Sequence, residues 1–166
     1  MGANNFSEKE EEGKTFVIIK PGAVRRGATV GIVEILTENG LWVKKIKRVH
    51  SITKDHLLKH YNKDQDWFLK VGNKEIKFLI QKGECPTKTA EEYGRDALEK
   101  VIDHMLSGPF YIIILKGRNA VTVVQGLTGI IRAQFGIDVI DNAIHRSDLG
   151  KETEEIELWE PYLKKE

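Results

Sequence analysis

The stretch TFVIIKPGAVRRG, residues 15–27, decides how the chain is read. Its first five positions are β-branched or aromatic, the composition of a buried strand. The run stops at Lys20-Pro21, where the proline ring removes a backbone donor and ends regular pairing. A buried strand therefore delivers a lysine at its exit.

Outward from this strand, VGIVEILTENG sets Val30, Val33 and Leu36, with Ile32 and Ile35, on a helical period and closes on Gly40, suited to a left-handed cap. LWVKKIKRVH reads as a second strand. Thr53 can cap a short helix through DHLLKHY, which carries Leu57, Leu58 and Tyr61. A helical stretch over residues 66–82 presents Trp67, Val71 and Leu79, and GECPTKT forms a loop. Thr89 with Glu92 makes a capping box for a helix that ends near Ser107-Gly108-Pro109. FYIIILK is the most apolar strand. Asn119 can cap a helix through AVTVVQGL, and FGIDVIDNAIH alternates as a last strand. This order predicts an α+β chain: a ferredoxin-like split β-α-β fold, with a four-stranded antiparallel sheet covered by helices on one face.

With 166 residues the chain is one ordinary domain, expected over residues 15–166. Before it, the block SEKEEEGK has no apolar period, and residues 1–14 read as an acidic, disordered, solvated leader. Lys plus Arg number 26 and Asp plus Glu 25, so the weak net field gives no case for general nucleic-acid or membrane-surface binding. An anionic ligand must be recognised locally. The single cysteine, Cys85, has no internal partner and no metal-ligand spacing around it. No run approaches the ~18 apolar residues of a membrane span, and the acidic N-terminus does not read as a secretory signal. A cytoplasmic protein is expected.

Chemistry gathers in DNAIHRSD, residues 141–148. His145 can attack or accept a proton with one ring nitrogen while a partner fixes the other. Lys20, Arg132, Asn142 and Glu155 supply what a phosphoryl-transfer site needs: cations for phosphate oxygens, a carboxamide for ribose or phosphate, and a carboxylate to orient the imidazole. Singly, each is also an ordinary strand-end, turn or helix-surface residue.

Taken together, the motifs resemble those of the nucleoside diphosphate kinase family. TFVIIKPGAVRRG is similar to the family's opening strand and K-P-D-x-V-x-R-G signature, and HMLSGP to Y-M-x-S-G-P. NAIHRSD and EEIELW are similar to N-x-x-H-G-S-D and E-x-E-I-x-L-W. The match runs collinearly from Thr15 to Trp159, and the segment from Trp67 to Arg95 resembles a longer subtype. The resemblance implies a ping-pong enzyme that moves the γ-phosphate of a nucleoside triphosphate to a nucleoside diphosphate through phosphohistidine. It implies Mg²⁺ held mainly by the nucleotide phosphates, with no protein metal site, and a homo-oligomer. His145 is then the nucleophile, Lys20 contacts phosphate and sugar, Arg132 the phosphates and Asn142 the sugar. Tyr61 and Ser147 stand beside the histidine, and Glu155 holds its ring. Trp67 and Phe68 either stack on a base or pack in the core.

Three departures bear on mechanism. Gln125 stands where the family has an arginine facing the phosphates. The loop that normally separates this helix from T-I-R-G-D is absent, leaving Thr128 to substitute for its phosphate-contacting threonine. Arg146 replaces a glycine, either adding a cation or crowding the nucleophile. These departures keep open an alternative from another class, a catalytically weakened nucleotide-binding or regulatory module on the same fold.

Overall fold

The computed structural model describes residues 12–164. Residues 1–11, which hold most of the expected leader, lie outside the described residues. The first strand, β1 (Glu12–Ile19), begins three residues before Thr15, because Glu12, Gly13 and Lys14 continue the ladder opposite Arg118, Gly117 and Lys116. There follow α1 (Pro21–Arg25), α2 (Thr29–Glu38), β2 (Trp42–Val49), α3 (Lys54–His60), α4 (Gln65–Gln81) and α5 (Ala90–Leu106). The chain continues through β3 (Phe110–Arg118), α6 (Ala120–Phe135), β4 (Ile144–Arg146) and α7 (Glu152–Lys164). The four strands form one antiparallel sheet in the order β2-β3-β1-β4.

Helices cover both faces of this sheet, not one. Successive strand side chains point to opposite faces. Val17 and Ile19 of β1 and Ile113 and Leu115 of β3 pack with Ile32 and Leu36 of α2 and Val124 and Ile131 of α6. Phe16, Ile18, Ile112 and Ile114 face the other way, onto Leu57 of α3, Ile102 of α5 and Trp159 of α7. The unbroken apolar runs of the two central strands record this: a half-solvated strand would alternate with polar residues.

The expected caps form at α3 and α5. Thr53 accepts from the N–H of His56, and Thr89 and Glu92 complete a reciprocal capping box. Gly40 takes a positive φ of 84° after α2. Asn119 occupies the N-cap of α6 in the left-handed region, at φ 51°, but its side chain makes no capping bond.

The last strand is much shorter than its alternation suggests. α6 continues to Phe135 because Val121, Val124, Thr128 and Ile131 stay buried along one face. Beyond it, the Asp138 carboxylate accepts the N–H groups of Ile140 and Asp141 at 2.8 and 2.7 Å. That local bonding diverts the backbone into a loop, and only Ile144–Arg146 pairs as β4.

α4 and α5 form a hairpin whose backbones nearly touch. A Cβ on Gly94 would stand 2.2 Å from the Phe68 carbonyl oxygen, and one on Gly72 1.6 Å from that of Ala90. Neither neighbour can rotate away. Gly94→Ala is therefore expected to destabilise the fold by about 1–3 kcal/mol or more, read as a lower urea midpoint at unchanged slope, whereas alanine at exposed Gly126, which meets nothing within 4 Å, leaves the midpoint unchanged or higher.

Candidate active site

β4 pairs with the exit of β1, Ile18 opposite His145 and Ile19 opposite Ile144. The pairing continues past both ends: the N–H of Lys20 donates to Ala143 O at 2.9 Å and that of Ser147 to Phe16 O at 3.1 Å. Adjacent strand ends thus bring Lys20 and His145 together. Just before β4 the backbone closes a three-residue turn, Ile144 N–H to Asn142 O at 2.9 Å, with buried Ala143 at φ 72°. A non-glycine residue in that region is strained and persists only when its surroundings enforce it.

His145 is held by a chain of two hydrogen bonds. Its Nε2 lies 3.0 Å from Oε1 of Glu155, and the other carboxylate oxygen accepts from the Ser147 hydroxyl at 2.5 Å. A carboxylate only accepts, so Nε2 carries the proton and Nδ1 keeps its lone pair. Ser147 is fully buried. The Tyr61 ring stands 5.9 Å from that of His145, centroid to centroid, with its hydroxyl sealed and without a hydrogen-bond partner among the described residues. Burial, then the Glu155 charge, push this hydroxyl above the usual tyrosine range, so it stays protonated.

Three cations surround the histidine's strand. Lys20 is buried and donates to Ile140 O at 3.2 Å; burial first, and then Arg132, lower its pKa to about 8. Arg132, in the last turn of α6, donates to Ile144 O at 3.2 Å, and its pKa is held down by partial burial and then by the Arg146 charge. Arg146 pairs with Asp148. The cations therefore repel one another through Arg132, a state that a polyphosphate would relieve.

Asn142 donates to Val139 O at 3.2 Å while its Oδ1 is sealed and unpartnered among the described residues. Thr128 lies on the core face of α6 and donates to Val124 O at 2.7 Å, as a helical threonine does when it has no outside partner. Gln125 is half-buried one turn earlier. Trp67 and Phe68 diverge. Phe68 is buried against the α4–α5 seam with the Arg95 guanidinium over its ring. Trp67 lines a groove of about 580 Å³ with Val71, Phe78, Tyr93, Lys100 and Ile140, whose carbonyl also holds Lys20.

Two groups in this region carried no signal of their own in the sequence. Asp141 receives both guanidinium nitrogens of Arg26, at 2.5 and 3.0 Å, and a Cβ on Gly22 would collide with its carboxylate at 2.3 Å. This latch ties α1 to the segment ahead of β4. Their nearest signal is Gly22 and Arg26 within the KPGAVRRG motif. The second is His60, directly before Tyr61, whose Nδ1 accepts from the indole N–H of Trp159.

A family model described as nucleoside diphosphate kinase matches residues 13–71 and 68–162. The chain belongs to the nucleoside diphosphate kinase family. A nucleoside diphosphate kinase from Pyrobaculum aerophilum is 30% identical over 172 residues, covering 88% of this chain and 93% of its own length. One from a Thermoanaerobacter species is 30% identical over 160 residues, covering 90% of this chain and 97% of its own. The crystal structure of an NDP kinase from P. aerophilum superposes with a TM-score of 0.81 at 27% identity, over 93% of this chain and all of that one. That of an Aquifex aeolicus nucleoside diphosphate kinase, 22% identical over 89% of this chain and 94% of its own, shares the fold at a TM-score of 0.63. The four-stranded antiparallel sheet of this chain is that family's fold. Among the described residues, no helix is long and apolar enough to cross a membrane.

The lowered pKa of Lys20 has a stability signature. Between about 8 and 10.5 the unfolded chain holds a proton that the folded lysine has released, so stability rises with pH across that window. Relative to Lys20→Met, the native protein should gain on the order of 3 kcal/mol between pH 7.5 and 10.5, measured by chemical denaturation at each pH. Parallel pH curves for the two proteins would contradict the buried, cation-crowded lysine.

Proposed function

We propose that this chain transfers the γ-phosphate of a nucleoside triphosphate to a nucleoside diphosphate through a phosphohistidine at His145. The observation that carries this reading is the Ser147–Glu155–His145 chain, which pins Nε2 and leaves Nδ1 as the nucleophile on a segment whose carbonyls Lys20 and Arg132 hold. The Nδ1 lone pair forms the P–N bond as the bond from phosphorus to the bridging oxygen breaks, its electron pair leaving with the diphosphate. The ring gains positive charge in that step, and the Glu155 carboxylate against Nε2–H stabilises it. A second diphosphate then reverses the step through its own terminal oxygen.

Lys20, Arg132 and Arg146 are the cations for the phosphate oxygens, and Tyr61 is a neutral donor next to the nucleophile. Asn142, at the turn into β4, is the carboxamide for a sugar hydroxyl. Trp67, in the groove that begins at Ile140, is the stacking surface for a base, and stacking tolerates any base. Phe68 serves packing on the buried side of α4, and Thr128 supports α6 from within the core. The residues present fit a Mg²⁺ that arrives on the nucleotide. Glu155 is engaged by His145 and Ser147, Asp141 by Arg26, and Asp148 by Arg146, so the phosphates themselves are its main ligands. When bound it neutralises phosphate charge. Exposed Trp42 and Ile46 on edge strand β2 support association into a homo-oligomer.

A second reading, a nucleotide-binding module with weakened catalysis, draws on Gln125, the core position of Thr128 and the commitment of Arg146 to Asp148. Incubation with ATP labelled on the γ-phosphate separates the two. The kinase reading expects an acid-labile, alkali-stable phosphoprotein that added GDP discharges and that His145→Gln abolishes. Glu155→Gln should slow its formation about 10²-fold. Nucleotide binding without any label on the native protein would favour the weakened module.

A further inference from the structure

α7 presents Glu155 and Trp159, four residues apart, to the same end of the sheet, and each holds a histidine. Glu155 takes Nε2 of His145. The indole N–H of Trp159, fully buried, donates to Nδ1 of His60 at 3.1 Å. Because an indole nitrogen only donates, Nδ1 of His60 must present its lone pair, and the proton of the neutral ring resides on Nε2. Burial first, then the charges of His145, Lys63, His56 and Lys20, hold His60 well below the usual histidine range, so the ring is neutral.

That Nε2–H is sealed from solvent and meets no acceptor among the described residues. A buried donor left without a partner is costly, and with the hydroxyl of Tyr61, whose ring lies 4.6 Å away, likewise unpartnered among the described residues, it marks where an acceptor belongs. The His60 ring meets His145 at a steep angle, 75°, with centroids 4.4 Å apart. A ring nitrogen of each histidine and a carboxylate oxygen of Glu155 lie within 4.8 Å of one another. Two histidines and a glutamate also have the composition of a cation site, but a histidine ligand must aim a lone pair at the ion. With Trp159 on Nδ1, the free nitrogen of His60 carries hydrogen and has no lone pair to give.

Resting on the phosphohistidine reading above, we propose that His60 is a further catalytic residue: its Nε2–H donates to a non-bridging oxygen of the phosphoryl group on its way to, and resident on, Nδ1 of His145. Trp159 is the positioning residue that fixes the tautomer. Neutrality is part of the role. A cationic His60 against His145 would oppose the positive charge that the nucleophile's ring acquires on phosphorylation.

Rapid-quench labelling with γ-labelled ATP tests this on native protein, His60→Phe and His60→Gln, whose amide restores an N–H near the position of Nε2. The rate of phosphohistidine formation should fall roughly 10-fold or more in His60→Phe, with nucleotide affinity within about two-fold of native, and His60→Gln should recover part of the loss. Independently of any variant's folding, ¹⁵N spectra of the native protein should show His60 protonated at Nε2, with that resonance displaced when His145 is phosphorylated. A native protein that takes up no label overturns the phosphohistidine reading and this proposal with it. Native labelling matched in rate by His60→Phe, or a His60 resonance unmoved by phosphorylation, overturns the proposal alone. So does a ring protonated at Nδ1 that captures Zn²⁺, which would mark a cation site instead.

Discussion

The three-residue ladder between β1 and β4 is the constraint on which the rest of the site depends. It sets Ile18 opposite His145 and, through the flanking bonds of Lys20 and Ser147, fixes both ends of the segment that carries the chemistry. β1 supplies rigidity to this ladder because its apolar side chains are buried on both faces of the sheet. β4 alone is too short to hold a register. Its position is over-determined instead by the Asp141–Arg26 latch before it and by the Ser147–Glu155 bond after it. Such redundancy is what lets Ala143 remain at a positive φ immediately ahead of the nucleophile's strand.

Around that ladder, charge is arranged for a guest. Lys20, Arg132 and Arg146 act on one another in sequence, and Lys20 is buried besides. Folding therefore works against its own electrostatics here, and an arriving polyphosphate gains from the relief as well as from its direct contacts. Neutral donors complete the setting: burial keeps Tyr61 protonated and His60 uncharged. α6 runs unbroken from Ala120 to Phe135 and keeps Thr128 inside it, so the phosphate surroundings rest on strand ends and the α6 terminus.

Much of this was legible in the residues themselves. TFVII and FYIIILK announce buried strands, and their lack of alternation already contained the second helical layer, which the expectation of helices on one face overlooked. Thr53, Thr89 and Glu92 could be read as caps because capping chemistry is local. FGIDVIDNAIH could not be read correctly as a strand, since its alternation competes with an aspartate that binds backbone two and three residues ahead. At the site, His145, Lys20 and Glu155 were legible through motif spacing. The partnerships that tune them were not: Arg26 with Asp141 spans 115 positions and Trp159 with His60 spans 99, and neither pair has a local pattern to betray it.

The glycine seam between α4 and α5 has a mechanical consequence. Where two helices meet through side chains, a rotamer change can open or close the space between them. Here Gly72 and Gly94 bring backbone against backbone, so the distance between the helices is set by atoms that have no rotamers. The α4–α5 walls of the groove containing Trp67 and Tyr93 are consequently fixed in width. Its other side is the loop of residues 136–143, where Val139 is 84% exposed. A ligand in that groove meets helical walls of set width, and the loop on its other side is the same one that carries Ile140 and Asn142 toward the reacting histidine.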